Sequence, residues 1–502
     1  MIDVRLTYIR QTTFTIILAS CVLLAGCAIE PESITKDARQ ARIKADLVDL
    51  YKNQESVSGP VTLSEAIARA LKYNLDQRVK LMEQGLAIDT LDVAHYDLLP
   101  TLAVNAGYFA RDNDAGASSQ SLLTGLTSLE PSTSQERTHR TFNANLVWNV
   151  LDFGVSYANA KQRADEVNIA IEMRRKVIQN VVQDVQSAWW RAVVAEKLTG
   201  EIERVLRDAR DAVARTRELE TKRLKKPLEA LQRQRSLLEL IDRMTQLRKE
   251  MSQAKIDLAN LMNLKPGTPY KVAVPSEEKM PTIDASLTDL EQTALSSRPE
   301  LREEDYRKRI SSLEVRKALL RMFPGLEVNF GHTYDSNKFL FNNNWSEVGL
   351  QVTWNIFNVF SGPAAQRQAQ SQVNLADTRR LAMSAAVLAQ VNVAWQKYLE
   401  SIEDFKLARE LSDVEIRIVQ NVAAAKQANR VDASDVVMSR ASSLNSRLRR
   451  GLAFAELQSS VARIHNSLGT DPLPDAVKGR DIKTLSVAIA DHLKRTTAAI
   501  SK

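Results

Sequence analysis

An internal duplication is the feature that most constrains what this chain can fold into. Residues 63–100 match residues 287–324 at a shift of 224 positions, and each segment ends in proline. Further along, Trp148 matches Trp354 at a shift of 206 positions. The repeat is about 200 residues long, which is too long for a solenoid, so it indicates two copies of one large unit. We assign the two copies to residues 61–270 and 271–474.

The start of the chain predicts an export signal followed by a lipid attachment site. Arg5 and Arg10 precede an apolar run at residues 14–24, and small residues then lead to Cys27. This layout is typical of a signal peptide at residues 1–26, since the apolar run is too short to span a bilayer. The cysteine at the cleavage point resembles that of a bacterial lipobox, which implies a lipid on Cys27. The alternative is an ordinary signal peptide with an incidental cysteine.

Composition narrows the function further. Cys21 leaves with the signal peptide and Cys27 carries lipid, so we expect no disulfide. The net charge of +7 is spread along helix-like segments, so we expect no nucleic-acid partner. The five histidines are isolated, and no nucleotide-binding or hydrolase motif occurs. We therefore expect no metal, no cofactor beyond the covalent lipid, and no enzymatic activity. Residues 27–60 are polar, lack clear periodicity and are expected to form a lipid-anchored tether.

Four segments of about ten residues alternate between apolar and polar or small side chains, which predicts β-strands. Such strands fit either a soluble sheet packed on a core or a transmembrane barrel with its apolar face outward. The export signal favours the barrel, and so do Trp148 and Trp354, which we expect at a membrane interface. The linking segments 112–138 and 336–344 differ by the 18 residues lost between the copies, so we expect both as exposed loops on one side. The strands are predicted at residues 101–111, 140–149, 326–331 and 347–354.

Very long helices follow each strand pair. Residues 154–222 contain no proline and carry an apolar stripe at helical spacing. About 69 residues at 1.5 Å each make a helix of roughly 100 Å, which predicts a coiled coil or a helical barrel. Residues 63–98 predict a further helix with a break near Asn74. Three more helices are predicted at residues 228–262, 433–468 and, within a C-terminal extension at 475–502, at 481–500.

The ordered set of elements resembles the TolC-type outer membrane efflux protein family over roughly residues 60–470. The resemblance rests on the doubled order of helix, strand, loop, strand, long helix, turn and helix. It rests also on Pro100 and Pro324 before the strands, on the similar five-residue segments that begin at Trp148 and Trp354 after the strands, and on Arg298-Pro299-Glu300-Leu301. It implies an α+β fold: a transmembrane β-barrel with four strands per chain and twelve per homotrimer, continued by a long periplasmic α-helical barrel. Four strands alone would leave two open edges, which lipid does not tolerate, so chains must share a barrel.

The resemblance implies an outer-membrane exit duct of a tripartite efflux or type I secretion system. Its partners would be a periplasmic adaptor protein, an inner-membrane transporter and outer-membrane lipid. One alternative is a lipid-anchored periplasmic coiled-coil scaffold without a pore. Another is a lipoprotein enzyme built on a soluble sheet.

The resemblance also assigns roles to the two turns that end the long helices. Asp435 lies on the family's S/T/V-D-V element, and Glu229 is its counterpart in the first repeat. Both are expected to form a pore constriction, and the alternative is that they are solvated helix carboxylates. The expected adaptor contacts, which could instead be ordinary exposed turn residues, are Lys225, Lys226, Arg430 and Asp432.

Overall fold

The computed structural model describes residues 31–128, 130–222, 227–473, 479 and 481–500. The proposed signal peptide and Cys27 lie outside the described residues. The chain forms two compact units, one ending at Glu55 and one beginning at Ser56. None of the helices in the described ranges is both long enough and apolar enough to cross a membrane.

The first unit contains helix α1 (Lys36–Asp49), which lies within the segment predicted to be a polar tether. None of its residues is buried, so tertiary packing does not hold it. Thr35 caps its start, because the Thr35 hydroxyl accepts a hydrogen bond from the Ala38 N–H at 3.2 Å. Alanine, arginine, lysine and leucine fill most of the helix, and these are strong helix formers. This helix was not predicted, because the segment lacks apolar periodicity.

The second unit carries both repeats, and their helices have matching lengths. The short helices have 11 and 22 residues in each copy, and the long helices have 72 and 71. At 1.5 Å per residue the first long helix spans about 110 Å. In the first copy the helices are α2 (Leu63–Tyr73), α3 (Leu75–Tyr96), α4 (Val150–Thr221) and α5 (Pro227–Leu261). In the second copy they are α6 (Leu287–Ser297), α7 (Pro299–Leu320), α8 (Phe357–Gln427) and α9 (Ala433–Leu468), followed by α10 (Ile482–Ile500).

The helices begin and end at residues with identifiable roles. Asn74 separates α2 from α3, and its side-chain oxygen accepts a hydrogen bond from the Gln77 N–H at 3.1 Å. Gly469 ends α9 with φ +69°, and a Cβ there would lie 2.8 Å from the Arg298 Cα, so only glycine fits. Gly362 in α8 is required for a different reason, because a Cβ there would overlap the Met322 side chain. Asn74 and Gly469 therefore fix where the chain turns, whereas Gly362 lies inside α8.

The long helices lie side by side in one layer. Near the strands the order is α3, α4, α7, α8, and toward the far tips it is α5, α4, α9, α8. Helices α2 and α6 pack against the middle of this layer, and α10 packs on α2. Trp189 anchors the middle, since its indole N–H donates to the Val61 carbonyl at 3.1 Å. Trp190 stacks edge-on against Trp189 and Phe454, with ring centroids 4.9 and 5.2 Å away.

The strands β1 (Thr101–Ala110), β4 (Thr138–Asn149), β5 (Gly325–Asp335) and β6 (Asn344–Thr353) form one antiparallel sheet in that order. The first loop also contains a small hairpin, formed by β2 (Gly116–Ala117) and β3 (Ser132–Thr133). The two loops contact each other, since the Asn337 side chain accepts from the Glu136 N–H at 3.2 Å and donates to the Ser134 carbonyl at 2.9 Å. The loops therefore share one side, as predicted.

Candidate functional site

One face of the sheet is apolar along the half nearer the long helices. The strand register aligns Leu102, Leu146, Phe330 and Val348 in one row across all four strands. The next row toward the long helices aligns Trp148, Val328 and Leu350. Val348 is 72% exposed and Leu350 is 73% exposed, so no described part of the second unit covers this face. A soluble sheet would bury such a face on a core, and this sheet does not.

The opposite face is polar. Asn105, Asn143 and Thr333 lie in one row, and the Asn143 amide donates to the Thr333 hydroxyl at 2.8 Å. The side chain of Asn329 lies across Gly349, where a Cβ would overlap its amide. Toward the long helices the two faces therefore alternate between apolar and polar side chains, which is the pattern of a transmembrane barrel strand.

Within the part of the chain that the structure describes, the sheet has two open edges, β1 and β6. Strand β1 runs from α3 toward the loops and β6 runs from the loops toward α8, so the edges point in opposite directions. A second copy can therefore place its β1 beside β6 and keep the antiparallel pattern. Each edge strand has 10 residues, so the ladder between copies can match those within the chain.

Trp148 and Trp354, the two tryptophans predicted at a membrane interface, lie where strands are followed by long helices. Trp148 packs edge-on against Phe153, with ring centroids 6.0 Å apart. The indole N–H of Trp354 donates to the Met322 carbonyl at 3.1 Å. Trp148 is 43% exposed and Trp354 is 51% exposed, which leaves part of each ring at the surface. Both occupy the same end of the sheet, opposite the loops.

The far tips of the helices hold the remaining site residues. Lys225 and Lys226 lie outside the described residues. Arg430 is exposed on the turn between α8 and α9, where the preceding Asn429 has φ 57°. Asp432 caps α9 and Asp435 completes a capping box, since its carboxylate accepts the Asp432 N–H at 2.9 Å. Asp435 thus has a local structural role that the sequence did not predict.

Arg233 on α5 brings the two tips together. Its guanidinium lies 3.0 Å from the Asp432 carboxylate, 3.6 Å from Asp435 and 3.7 Å from Glu229. The same group donates to the Ser434 hydroxyl at 2.7 Å. The structure therefore joins Glu229 and Asp435, which sequence reasoning paired only by repeat symmetry. The one sequence signal for Arg233 was its i, i+4 spacing from Glu229.

This group of Arg233, Glu229, Asp432 and Asp435 is called the tip cluster below. Three carboxylates share one guanidinium, so the ionised cluster carries net negative charge. The arginine side chain is 30% exposed and the carboxylates are 47–49% exposed, so solvent screens each pair and each stabilises weakly. The cluster can link the α5 and α9 starts and can attract cations.

The comparisons with known proteins bear on the fold. No family model matches the chain, and no curated protein sequence does. The Campylobacter jejuni CmeC outer membrane channel matches with a TM-score of 0.64 at 13% identity, over 94% of this chain and 93% of that one. The open state of the Neisseria gonorrhoeae MtrE outer membrane channel matches with a TM-score of 0.62 at 16% identity, over 83% of this chain and 94% of that one.

The outer membrane protein VceC from Vibrio cholerae matches as well, with a TM-score of 0.60 at 13% identity, over 81% of this chain and 96% of that one. Identities this low speak for the fold alone. The predicted TolC-type fold is confirmed: helices of a helical barrel are joined to the four-stranded part of a β-barrel. The barrel is open in the single chain, as its two free strand edges require.

Proposed function

We propose that this protein is a lipid-anchored outer-membrane exit duct of a tripartite efflux or type I secretion system. The observation that carries the proposal is the exposed apolar sheet face with two open edges, joined directly to helices of 72 and 71 residues. Lipid can solvate such a face, and further copies can pair its edges. The paired long helices would continue the pore through the periplasm. Its role would be conduction rather than catalysis.

The proposed assembly is a homotrimer with a twelve-stranded barrel. Exposed apolar side chains on the outer helices of the layer support this assembly. In a closed ring of three copies, α8 of one copy would lie beside α3 and α5 of the next copy. On α8, Leu407 is 58% exposed and Val393 is 55% exposed. On α3, Leu86 is 67% exposed and Val93 is 64% exposed. Burial of these side chains would add to the stability that strand pairing supplies.

The tip cluster is the proposed constriction. Three copies would bring three sets of Asp435 and Glu229 to the narrow end, where Arg233 offsets part of their repulsion. Lys225, Lys226, Arg430 and Asp432 would contact a periplasmic adaptor protein, and an inner-membrane transporter would supply the energy. The lipid on Cys27 would hold the chain at the outer membrane.

Purified protein in planar lipid bilayers tests the proposal. We expect stable ion conductance, together with an oligomer that resists dodecyl sulfate at room temperature and dissociates on boiling. A coiled-coil scaffold without a pore would oligomerise and give no conductance. Loss of conductance would therefore refute the exit duct even if the oligomer survives.

A further inference from the structure

The inward face of the proposed barrel changes character at its loop end. Along most of the four strands the inward positions hold asparagine, threonine, glycine and glutamate. Near the loops three aromatic side chains replace them: Phe109, His139 and Trp345. The register places Phe109 opposite His139 and Trp345 opposite Thr333, on the face away from Leu350. These three residues are called the aromatic collar.

Phe109 and His139 form a compact pair. Their rings stack with centroids 5.1 Å apart and planes 19° apart. The phenyl ring lies over Gly107, where a Cβ would come within 2.7 Å of it, so glycine allows the ring to lie against the strand. His139 is 9% exposed while Phe109 is 52% exposed. The imidazole thus backs the phenyl ring, and much of the phenyl surface stays open to the proposed lumen.

Trp345 lies on the edge strand β6 and is 39% exposed. Ring closure would place β6 beside β1 of the next copy, which carries its own Phe109. Neighbouring strands lie about 4.8 Å apart, so each copy's indole would stand on a strand adjacent to the next copy's phenyl ring. Three copies would then repeat the aromatic collar around the whole mouth of the barrel.

The charge of the inward face indicates which class of ligand the aromatic collar would bind. Its described strand positions include the carboxylates of Glu327, Asp335 and Glu347 and neither lysine nor arginine. The ladder continues one step beyond the strands to Arg111 and Arg137, and the Arg137 guanidinium is paired with Asp114 at 2.6 Å, so carboxylates still outnumber unpaired cations on this face. Glu347 lies two residues from Trp345 on the same face, about 7 Å along the strand. Carboxylates lining a pore favour cations, and the faces of aromatic rings attract cations electrostatically.

We propose that the aromatic collar binds organic cations that carry aromatic or apolar groups, as the last site on the exit path. The inference rests on the proposed exit duct and adds a class of cargo to it. Apolar groups of the cargo would lie against Phe109 and Trp345, and its positive charge would lie near Glu347. An anion of the same shape would meet the same rings but also the repulsion of the carboxylates.

Block of single channels by tetraphenylphosphonium, added on the loop side, tests the aromatic collar. Tetraphenylborate has nearly the same shape and the opposite charge, so we expect it to block far less. Tetraethylammonium lacks the rings and should also block less. Trp345→Ala and Phe109→Ala should each raise the half-blocking concentration of tetraphenylphosphonium roughly fivefold to tenfold. Glu347→Gln should weaken block by both cations.

Tyr334→Ala is the matched control, because Tyr334 lies at the same height on the outward face of β5. It should leave the block unchanged. Only variants with wild-type conductance enter the comparison, which separates misfolding from lost binding. Unchanged block in both Trp345→Ala and Phe109→Ala, or equal block by tetraphenylborate, would overturn the aromatic collar while the duct stands. Absence of any conductance in the wild type would overturn both.

Discussion

Replacing Leu350 with arginine should prevent assembly in the outer membrane. Leu350 is 73% exposed, lies opposite Val328 and sits within the apolar face of β6. An arginine near the middle of a barrel's lipid face costs about 2–4 kcal/mol. Three chains would share the barrel, so the total reaches about 6–12 kcal/mol, which is comparable to the whole stability of an ordinary domain.

Gln351→Arg is the matched control at the adjacent position. Gln351 lies on the polar face directly opposite Glu327, so the new cation would face water and a carboxylate. We expect it to assemble like the wild type. The assay is the fraction of heat-dissociable oligomer in outer-membrane extracts on semi-native gels, with total protein measured after boiling. Equal loss in both variants, or full assembly of Leu350→Arg, would refute the assignment of this face to lipid.

Four further outcomes are expected. Arg233→Gln leaves the three tip carboxylates without their shared cation, and each exposed ion pair contributes about 0.2–1 kcal/mol. Single channels should therefore spend several-fold more time in a high-conductance state. An unchanged dwell time would contradict a role of Arg233 in holding the two tips together. Burial and the nearby His492 lower the pKa of His465 from 6.5 to about 4, so the unfolded chain takes up the proton first. Stability against urea should therefore fall between about pH 6.5 and pH 4, and His465→Gln should flatten that slope. Cys27→Ser should abolish incorporation of labelled palmitate, and continued labelling would exclude the lipobox. Gly362→Val should destabilise the oligomer through its clash with Met322, and Met322→Ala should restore part of the loss.

The parts of the fold that could be predicted from the sequence are those that local periodicity determines. Alternation in the sequence put Leu102, Leu146, Phe330 and Val348 on one face, and the register places them in a single row. The break predicted near Asn74 is confirmed, and the Asn74 side chain caps the next helix by accepting the Gln77 N–H. Such features depend on neighbours a few positions away along the chain, which a sequence displays directly.

Features that depend on distant segments were not predictable. Arg233 meets Asp432 across about two hundred residues, and no periodic signal connects them. The sequence placed Phe109 on the polar face of its strand, yet only the strand register sets its ring against His139. Asp435 was expected to face the pore, but whether a helix carboxylate also caps its own helix depends on where that helix begins. That Asp435 and Glu229 face a pore therefore stays a prediction.

The order β1, β4, β5, β6 has a consequence for how the proposed duct would assemble. A lone sheet of four strands would carry the unpaired N–H and C=O groups of about five residues along each ten-residue edge into hydrocarbon, where an unsatisfied group costs several kcal/mol. In the proposed duct, a single chain therefore could not insert by itself. The helical layer has its own buried core around Trp189 and Trp190, so it can fold in water before any strand meets lipid. Helix association would then gather the sheets at one height, and membrane insertion would follow as one concerted step of the assembled ring.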